Sequence, residues 1–228
     1  MTDYAMLLDS KRHRPQSNGI TPTDTHQSLF PFQAALVRWA IRRGQAAIFA
    51  DTGLGKTRMQ LEWLRQMAGE GNGLIVAPLA VAEQTMREAQ AVGLDIGYLK
   101  HPTTARGLFI TNYERLHNFS PADYQAVVLD ESSILKSFDG KTRDYLVREW
   151  SAVRYRLCCT ATPAPNDLEE LANHAEFLGV CTRRDMLATY FVHDEDGWHI
   201  KGHAREPFYR WLAAWAMYIR RPSDLGFA

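Results

Sequence analysis

Ala50-Asp51-Thr52-Gly53-Leu54-Gly55-Lys56-Thr57 is the stretch whose reading decides the fold. The apolar run before it, Gln45-Ala46-Ala47-Ile48-Phe49-Ala50, reads as a buried strand. Beyond it, Leu61, Leu64 and Met67 recur at helical spacing until Gly69 stops the pattern. Strand, glycine turn and helix together describe a phosphate-binding loop. The turn's backbone N–H groups and the positive end of the helix dipole can surround a β-phosphate. Lys56 is placed to reach the β- and γ-phosphates, and the Thr57 hydroxyl to hold Mg²⁺. Thr52, Gly53 and Gly55 complete the nucleotide-binding set. Ala50 stands where this motif usually has its first glycine, so Gly53 and Gly55 must do the turning.

The 228 residues fit one large domain or two small ones, and 46% hydrophobic content is ample for a core. No apolar run has membrane-spanning length, and Met1 to Pro15 lacks the apolar centre of a signal peptide, so a cytoplasmic protein is expected. Three cysteines are too few for a disulfide framework. Adjacent in a strand, Cys158 and Cys159 should point to opposite faces as buried thiols. Lys plus Arg balances Asp plus Glu at 26 each, so nucleic-acid binding would have to come from local patches. Lys11-Arg12-His13-Arg14 and the pair Arg38 and Arg42 are candidates, with a solvated tail and a solvated helix face as their plainer readings. Arginine outnumbers lysine, as in a GC-rich bacterial or phage gene.

Residues 1–27 are polar and turn-rich and read as a flexible N-terminal extension; residues 28–228 read as one domain. Within it, Leu74-Ile75-Val76-Ala77, Gly107-Leu108-Phe109-Ile110, Ala126-Val127-Val128-Leu129 and Arg156-Leu157-Cys158-Cys159 are short apolar runs of the parallel-sheet kind. Helical stretches alternate with them over Ala80 to Ala91, Thr142 to Glu149 and Asp167 to Glu176. This alternation predicts an α/β fold, a mostly parallel sheet with helices on both faces and ligands at the carboxyl ends of its strands.

A second element, Val127-Val128-Leu129-Asp130-Glu131-Ser132-Ser133, is an apolar strand that ends in two adjacent carboxylates. ATP hydrolysis needs one group to assist Mg²⁺ and another to orient and deprotonate water, and Asp130 and Glu131 suit those roles.

With both motifs present, the chain resembles the first RecA-like domain of a superfamily-two helicase or translocase, nearest the Swi/Snf branch. Leu29-Phe30-Pro31-Phe32-Gln33 resembles that branch's opening motif, which makes Gln33 the adenine candidate. Ile75-Val76-Ala77-Pro78-Leu79 and Ile110-Thr111-Asn112-Tyr113-Glu114 resemble two strand-end motifs that touch the nucleic-acid backbone, implicating Pro78, Thr111 and Asn112. Thr160-Ala161-Thr162-Pro163 resembles the element that couples the γ-phosphate to the DNA site, and Ala164 to Leu171 continues the branch's pattern. Each piece has a plainer explanation in isolation, such as a helix start at Phe32-Gln33 or a strand terminator at Pro78. Their order along the chain is what carries the resemblance.

Two departures stand out. The family's Asp-Glu-x-His is Asp130-Glu131-Ser132-Ser133 here, so Ser133 occupies the place of a histidine that links hydrolysis to DNA engagement. The chain also stops at Ala228, which leads us to expect a second RecA-like domain, with its arginine fingers, outside it. Arg220-Arg221 is not assigned that role.

From Met186 onward the pattern changes. Asp196-Gly197 between Tyr190-Phe191-Val192-His193 and Trp198-His199-Ile200 signals a hairpin. His193, His199 and His203 lack the spacing of a zinc motif and read as surface residues. Phe208 to Pro222 reads as an aromatic amphipathic helix leading toward the second domain, its tryptophans in the core.

The resemblance thus implies an ATP- and Mg²⁺-dependent motor domain acting on nucleic acid, with duplex DNA as the expected partner. A nucleotide-regulated assembly module and the motor subunit of a restriction system are the alternatives the same motifs allow.

Overall fold

The computed structural model describes residues 17–136, 140–164, 168–195 and 197–227. Its centre is a seven-stranded sheet built from β1 (Gln45–Ala50), β2 (Gly73–Ala77), β3 (Ile96–Tyr98), β4 (Leu108–Asn112), β5 (Ala126–Asp130), β6 (Tyr155–Thr160) and β9 (Ala216–Ile219). The strands lie in the order β3-β4-β2-β5-β6-β1-β9, and every pairing is parallel. All seven carboxyl ends therefore share one edge.

Alternation along each strand sorts side chains onto two faces. Ala46, Ile48 and Ala50 join one core with Ile75, Val128, Leu157 and Cys159, covered by α1 (Pro31–Arg43), α2 (Lys56–Ala68) and α3 (Leu79–Ala91). Ala47 and Phe49 join the other core with Leu74, Val127, Leu129 and Cys158. That face is covered by α4 (Lys141–Glu149), α5 (Leu171–Phe177), α6 (Arg183–Tyr190) and α7 (Arg205–Ala213). The neighbouring thiols Cys158 and Cys159 are both fully buried, one in each core.

A small antiparallel hairpin, β7 (Phe191–Asp194) with β8 (Gly197–Ile200), lies between α6 and α7. Residue Asp196 of the expected turn lies outside the described residues, as do Lys11 to Arg14 and Pro165 to Asp167. Among the described residues no helix is long and apolar enough to cross a membrane.

The structure departs from the expected helix over Phe208 to Pro222. The helix stops at Ala213, and Ala216–Ile219 forms β9, paired with β1 from Ala47↔Ala216 to Ala50↔Ile219. The flank of β1 away from β6 would otherwise carry unpaired N–H and C=O groups, and a short apolar strand satisfies them better than a further helical turn. Similarly, the expected helix from Asp167 begins as a 3₁₀ turn, Leu168–Glu170, before α5.

Part of the stretch 1–27 is placed against the helices. The N–H groups of Asn18, Gly19 and Ile20 donate to the carbonyls of Arg43, Arg42 and Ile41 at 3.1–3.2 Å, satisfying the end of α1. A Cβ on Gly19 would come within 1.8 Å of the Ile41 carbonyl oxygen, so only glycine permits this backbone approach.

Candidate functional site

β1 delivers the loop Asp51 to Gly55 to the carboxyl edge of the sheet, and α2 begins at Lys56. The turn is made by Gly53 (φ 80°) and Gly55 (φ 73°), the left-handed conformations that glycine adopts without penalty. Extended and fully buried, Ala50 belongs to the strand, so this turn does not use the position where a first glycine would stand. The Lys56 ammonium folds back over the loop and donates to the carbonyls of Ala50 (2.8 Å) and Asp51 (3.2 Å). Gln33 ties α1 to the same loop. Its Nε2 donates to the Leu54 carbonyl at 2.9 Å, and its Oε1 accepts the Phe30 N–H at 2.9 Å. A Cβ on Gly55 would lie 2.3 Å from that Nε2 and would displace the Gln33 amide from the loop, while the φ of 73° is what calls for glycine.

β5 brings Asp130 and Glu131 to the same edge, one strand away from β1 across β6. Asp130 Oδ1 accepts two donors, Gln60 Nε2 at 2.7 Å and the Glu131 N–H at 3.0 Å, while the Tyr113 hydroxyl donates to the Asp130 backbone carbonyl at 2.7 Å. Burial holds the Asp130 carboxyl above its ordinary range, and the Gln60 amide is the largest influence pulling it back down. Burial, reinforced by the Asp130 charge, likewise keeps the Tyr113 phenol protonated and a donor.

Glu131 has φ 49°, the one positive φ outside glycine among the described residues. Left-handed backbone costs a side-chain-bearing residue energy and is held only where surrounding contacts fix it. Here two hydroxyls do so. Ser133 Oγ (2.5 Å) and Thr160 Oγ1 (2.6 Å) both donate to Glu131 Oε1, and Thr160 Oγ1 in turn accepts the Thr162 N–H at 3.1 Å. The three expected coupling residues Ser133, Thr160 and Thr162 thus form one chain that leads to a carboxylate. Behind them, buried His174 from α5 meets Ser132 Oγ at 3.1 Å and stands edge-on to Phe49 of β1, with centroids 5.2 Å apart.

Pro78 caps α3 at the carboxyl end of β2. Thr111 and Asn112 end β4 but are turned inward, at 0% and 4% exposure. Thr111 Oγ1 donates to the Leu99 carbonyl at 2.8 Å, and Asn112 bonds Glu114 and Tyr98. Arg220 and Arg221 follow β9 beside the loop, and both give their N–H groups to Asp224. No cluster of three or more His, Cys, Asp or Glu suited to a metal occurs among the described residues. His193 and His199 lie exposed on the hairpin, the latter 3.1 Å from Asp194.

The donor set fits Mg²⁺ bound with a nucleotide. Mg²⁺ takes hard oxygen ligands and is usually held by one or two protein groups plus substrate phosphates, and Thr57 and Asp130 are of that kind. Gln60 and Tyr113, which the sequence reading did not single out, hold Asp130. The signal for Gln60 was a polar residue one turn after Lys56 in a helix that is otherwise apolar on that side.

Comparison with known proteins bears on the family and the fold. The SNF2-related domain profile matches residues 32–185. The Caenorhabditis elegans chromodomain-helicase-DNA-binding protein 3 homolog is 28% identical over 214 aligned residues, covering 74% of this chain and 12% of that protein. Among solved structures, the Sulfolobus solfataricus SWI2/SNF2 ATPase core in complex with double-stranded DNA superposes with a TM-score of 0.72 at 17% identity, over 88% of this chain and 46% of that one. The UvsW helicase of bacteriophage T4 gives a TM-score of 0.55 at 13% identity, over 79% of this chain and 65% of that one. This chain therefore spans less than half the length of the first two relatives, and the last two likenesses show a shared RecA-like α/β fold. From the profile match and the fold together, the chain belongs to the SNF2-related domain family.

Proposed function

We propose that this chain binds ATP with Mg²⁺ and forms one wall of a composite ATPase site, in a protein that couples hydrolysis to movement along duplex DNA. The observation that carries this reading is the convergence of the Lys56 loop, the Asp130-Glu131 pair and Thr160 on three adjacent strand ends. Lys56 and the left-handed glycine turn suit the phosphates, Thr57 and Asp130 suit the metal, and Gln33 suits the adenine edge. Bound there, Mg²⁺ would neutralise charge that develops on the transferring phosphate. Glu131 would orient the attacking water and accept its proton on Oε2, the oxygen that neither Ser133 nor Thr160 occupies. The hydrogen-bond chain from Glu131 through the Thr160 hydroxyl to the Thr162 backbone N–H would give the base a physical link to the surface where nucleic acid would lie. Pro78 would face the backbone there, with Thr111 and Asn112 shaping the neighbouring strand end. The opposite wall, with the arginine fingers worth roughly 10³ to 10⁵ in turnover, would come from a second RecA-like domain.

Calorimetric titration tests the first step. Lys56→Ala removes the cation facing the β- and γ-phosphates and should weaken ATP binding at least about tenfold, the loss of one charge-assisted contact. Equal affinity in wild type and variant would remove the reading.

A further inference from the structure

We infer that Gln60 is a positioning residue that holds Asp130 in the orientation the metal requires. This rests on the ATP–Mg²⁺ reading above and assigns part of that site to a residue outside the motifs.

Gln60 is fully buried within α2, which is covered on nearly every side. It lies four residues after Lys56 and three after Thr57, so all three share one helix face. Its Nε2 donates to Asp130 Oδ1 at 2.7 Å, shorter than a usual neutral amide bond and in the range of charge-assisted ones. The Glu131 N–H falls on the same oxygen. Both donors therefore pin Oδ1, and Oδ2 is the oxygen that would be left to serve Mg²⁺. The same amide neighbours the Cys159 thiol, which burial keeps protonated.

Gln60 Oε1 is buried and has no hydrogen-bond partner beyond the weakly polar Cys159 thiol that neighbours its amide. An amide with one end unsatisfied is a poor choice for filling a core, where methionine has nearly the same shape and no polar end. Its retention makes sense if the donor is needed on Asp130. Residues that orient a metal's ligands typically change metal affinity tenfold to a hundredfold when altered.

The test uses the whole chain, a fluorescent ADP analogue and Mg²⁺. Gln60→Met should leave metal-free nucleotide affinity unchanged and lower the thermal midpoint modestly, because the buried Asp130 carboxylate loses one of its two donors. It should also increase the Mg²⁺ concentration that half-saturates the tightening of ADP by about tenfold or more. In an Asp130→Asn background the Gln60 substitution should add nothing, because the two act as one unit. If wild type tightens on ADP with Mg²⁺ and Gln60→Met has the same midpoint, the inference is overturned while the ATP reading stands. Wild type that binds no nucleotide at all overturns both. Should Gln60→Met not fold, the side-chain amide signals of Gln60 in wild type decide by NMR. They shift when Mg²⁺ is added to the ADP complex if the inference holds, and unmoved signals overturn it.

Discussion

The carboxyl edge of β1, β5 and β6 and the aromatic cluster under α7 are built on opposite principles. At the edge, polar groups crowd onto one another: Glu131 sits in left-handed backbone with two hydroxyls on a single carboxylate oxygen, and Lys56 bends onto its own loop. Beneath α7, Phe208 is fully buried against Tyr190, Phe191 and Trp211 at centroid distances of 5.3–5.8 Å for the ring pairs among them. The first arrangement spends conformational freedom on placing charge. The second contributes area removed from water and ring contacts worth about 0.5–1.5 kcal/mol per pair beyond that area. Damage to each should therefore be read by a different instrument, activity for one and stability for the other.

The largest separation should come from Glu131→Gln. The amide cannot accept the proton of water, so in a chain joined to the proposed second RecA-like domain steady-state ATPase should fall about 10² to 10⁴-fold while nucleotide binding persists. An unchanged rate would defeat the assignment of Glu131 as base. Next, Phe208→Ala should cost about 3–5 kcal/mol in urea unfolding and leave ATP affinity intact well below the midpoint. Loss of affinity in the folded variant would show that the cluster and the edge are not independent. Gly55→Ala breaks the comparison from the other side, because its φ of 73° and the Gln33 contact put strain at the site itself. We expect about 1–3 kcal/mol of destabilisation together with weaker nucleotide binding, checked by thermal melts and titration on one sample. Smallest is Thr160→Val, which keeps shape and removes one donor from Glu131. It should cost about 1–2 kcal/mol and slow turnover, and wild-type turnover in that variant would detach the hydroxyl chain from function.

Much of this was legible in the sequence because it is local chemistry. The loop at Gly53 to Thr57 and the strand ends at Ala77, Asp130 and Thr160 follow from turn residues and apolar runs of strand length. What escaped depends on partners far along the chain. Ile96–Tyr98 is three residues long with a glycine in its centre, too short to show a period. Trp211 to Ile219 is apolar throughout, so nothing local marks where helix yields to strand; the vacant flank of β1 decides it. The backbone of Glu131 is likewise fixed in part by a distant partner, Thr160, whereas Ser133, in place of a longer histidine, reaches it from only two residues away. Thr111 and Asn112 matched a motif in sequence, yet their inward orientation could not be read there.

The position of β1 also bears on how the protein comes to be made. The strand that carries the phosphate loop pairs with β6 and β9, so Ala47 must find Cys158 and Ala216. Such distant pairings form late and slowly compared with local ones. The strands β2, β4 and β5 can zip together before β6 is made, but the loop has no anchored strand beneath it until β6 (Tyr155–Thr160) emerges from the ribosome to join β1 to them. Competence to grip nucleotide should therefore lag behind synthesis of the loop itself, so that a chain interrupted before β6 does not engage ATP.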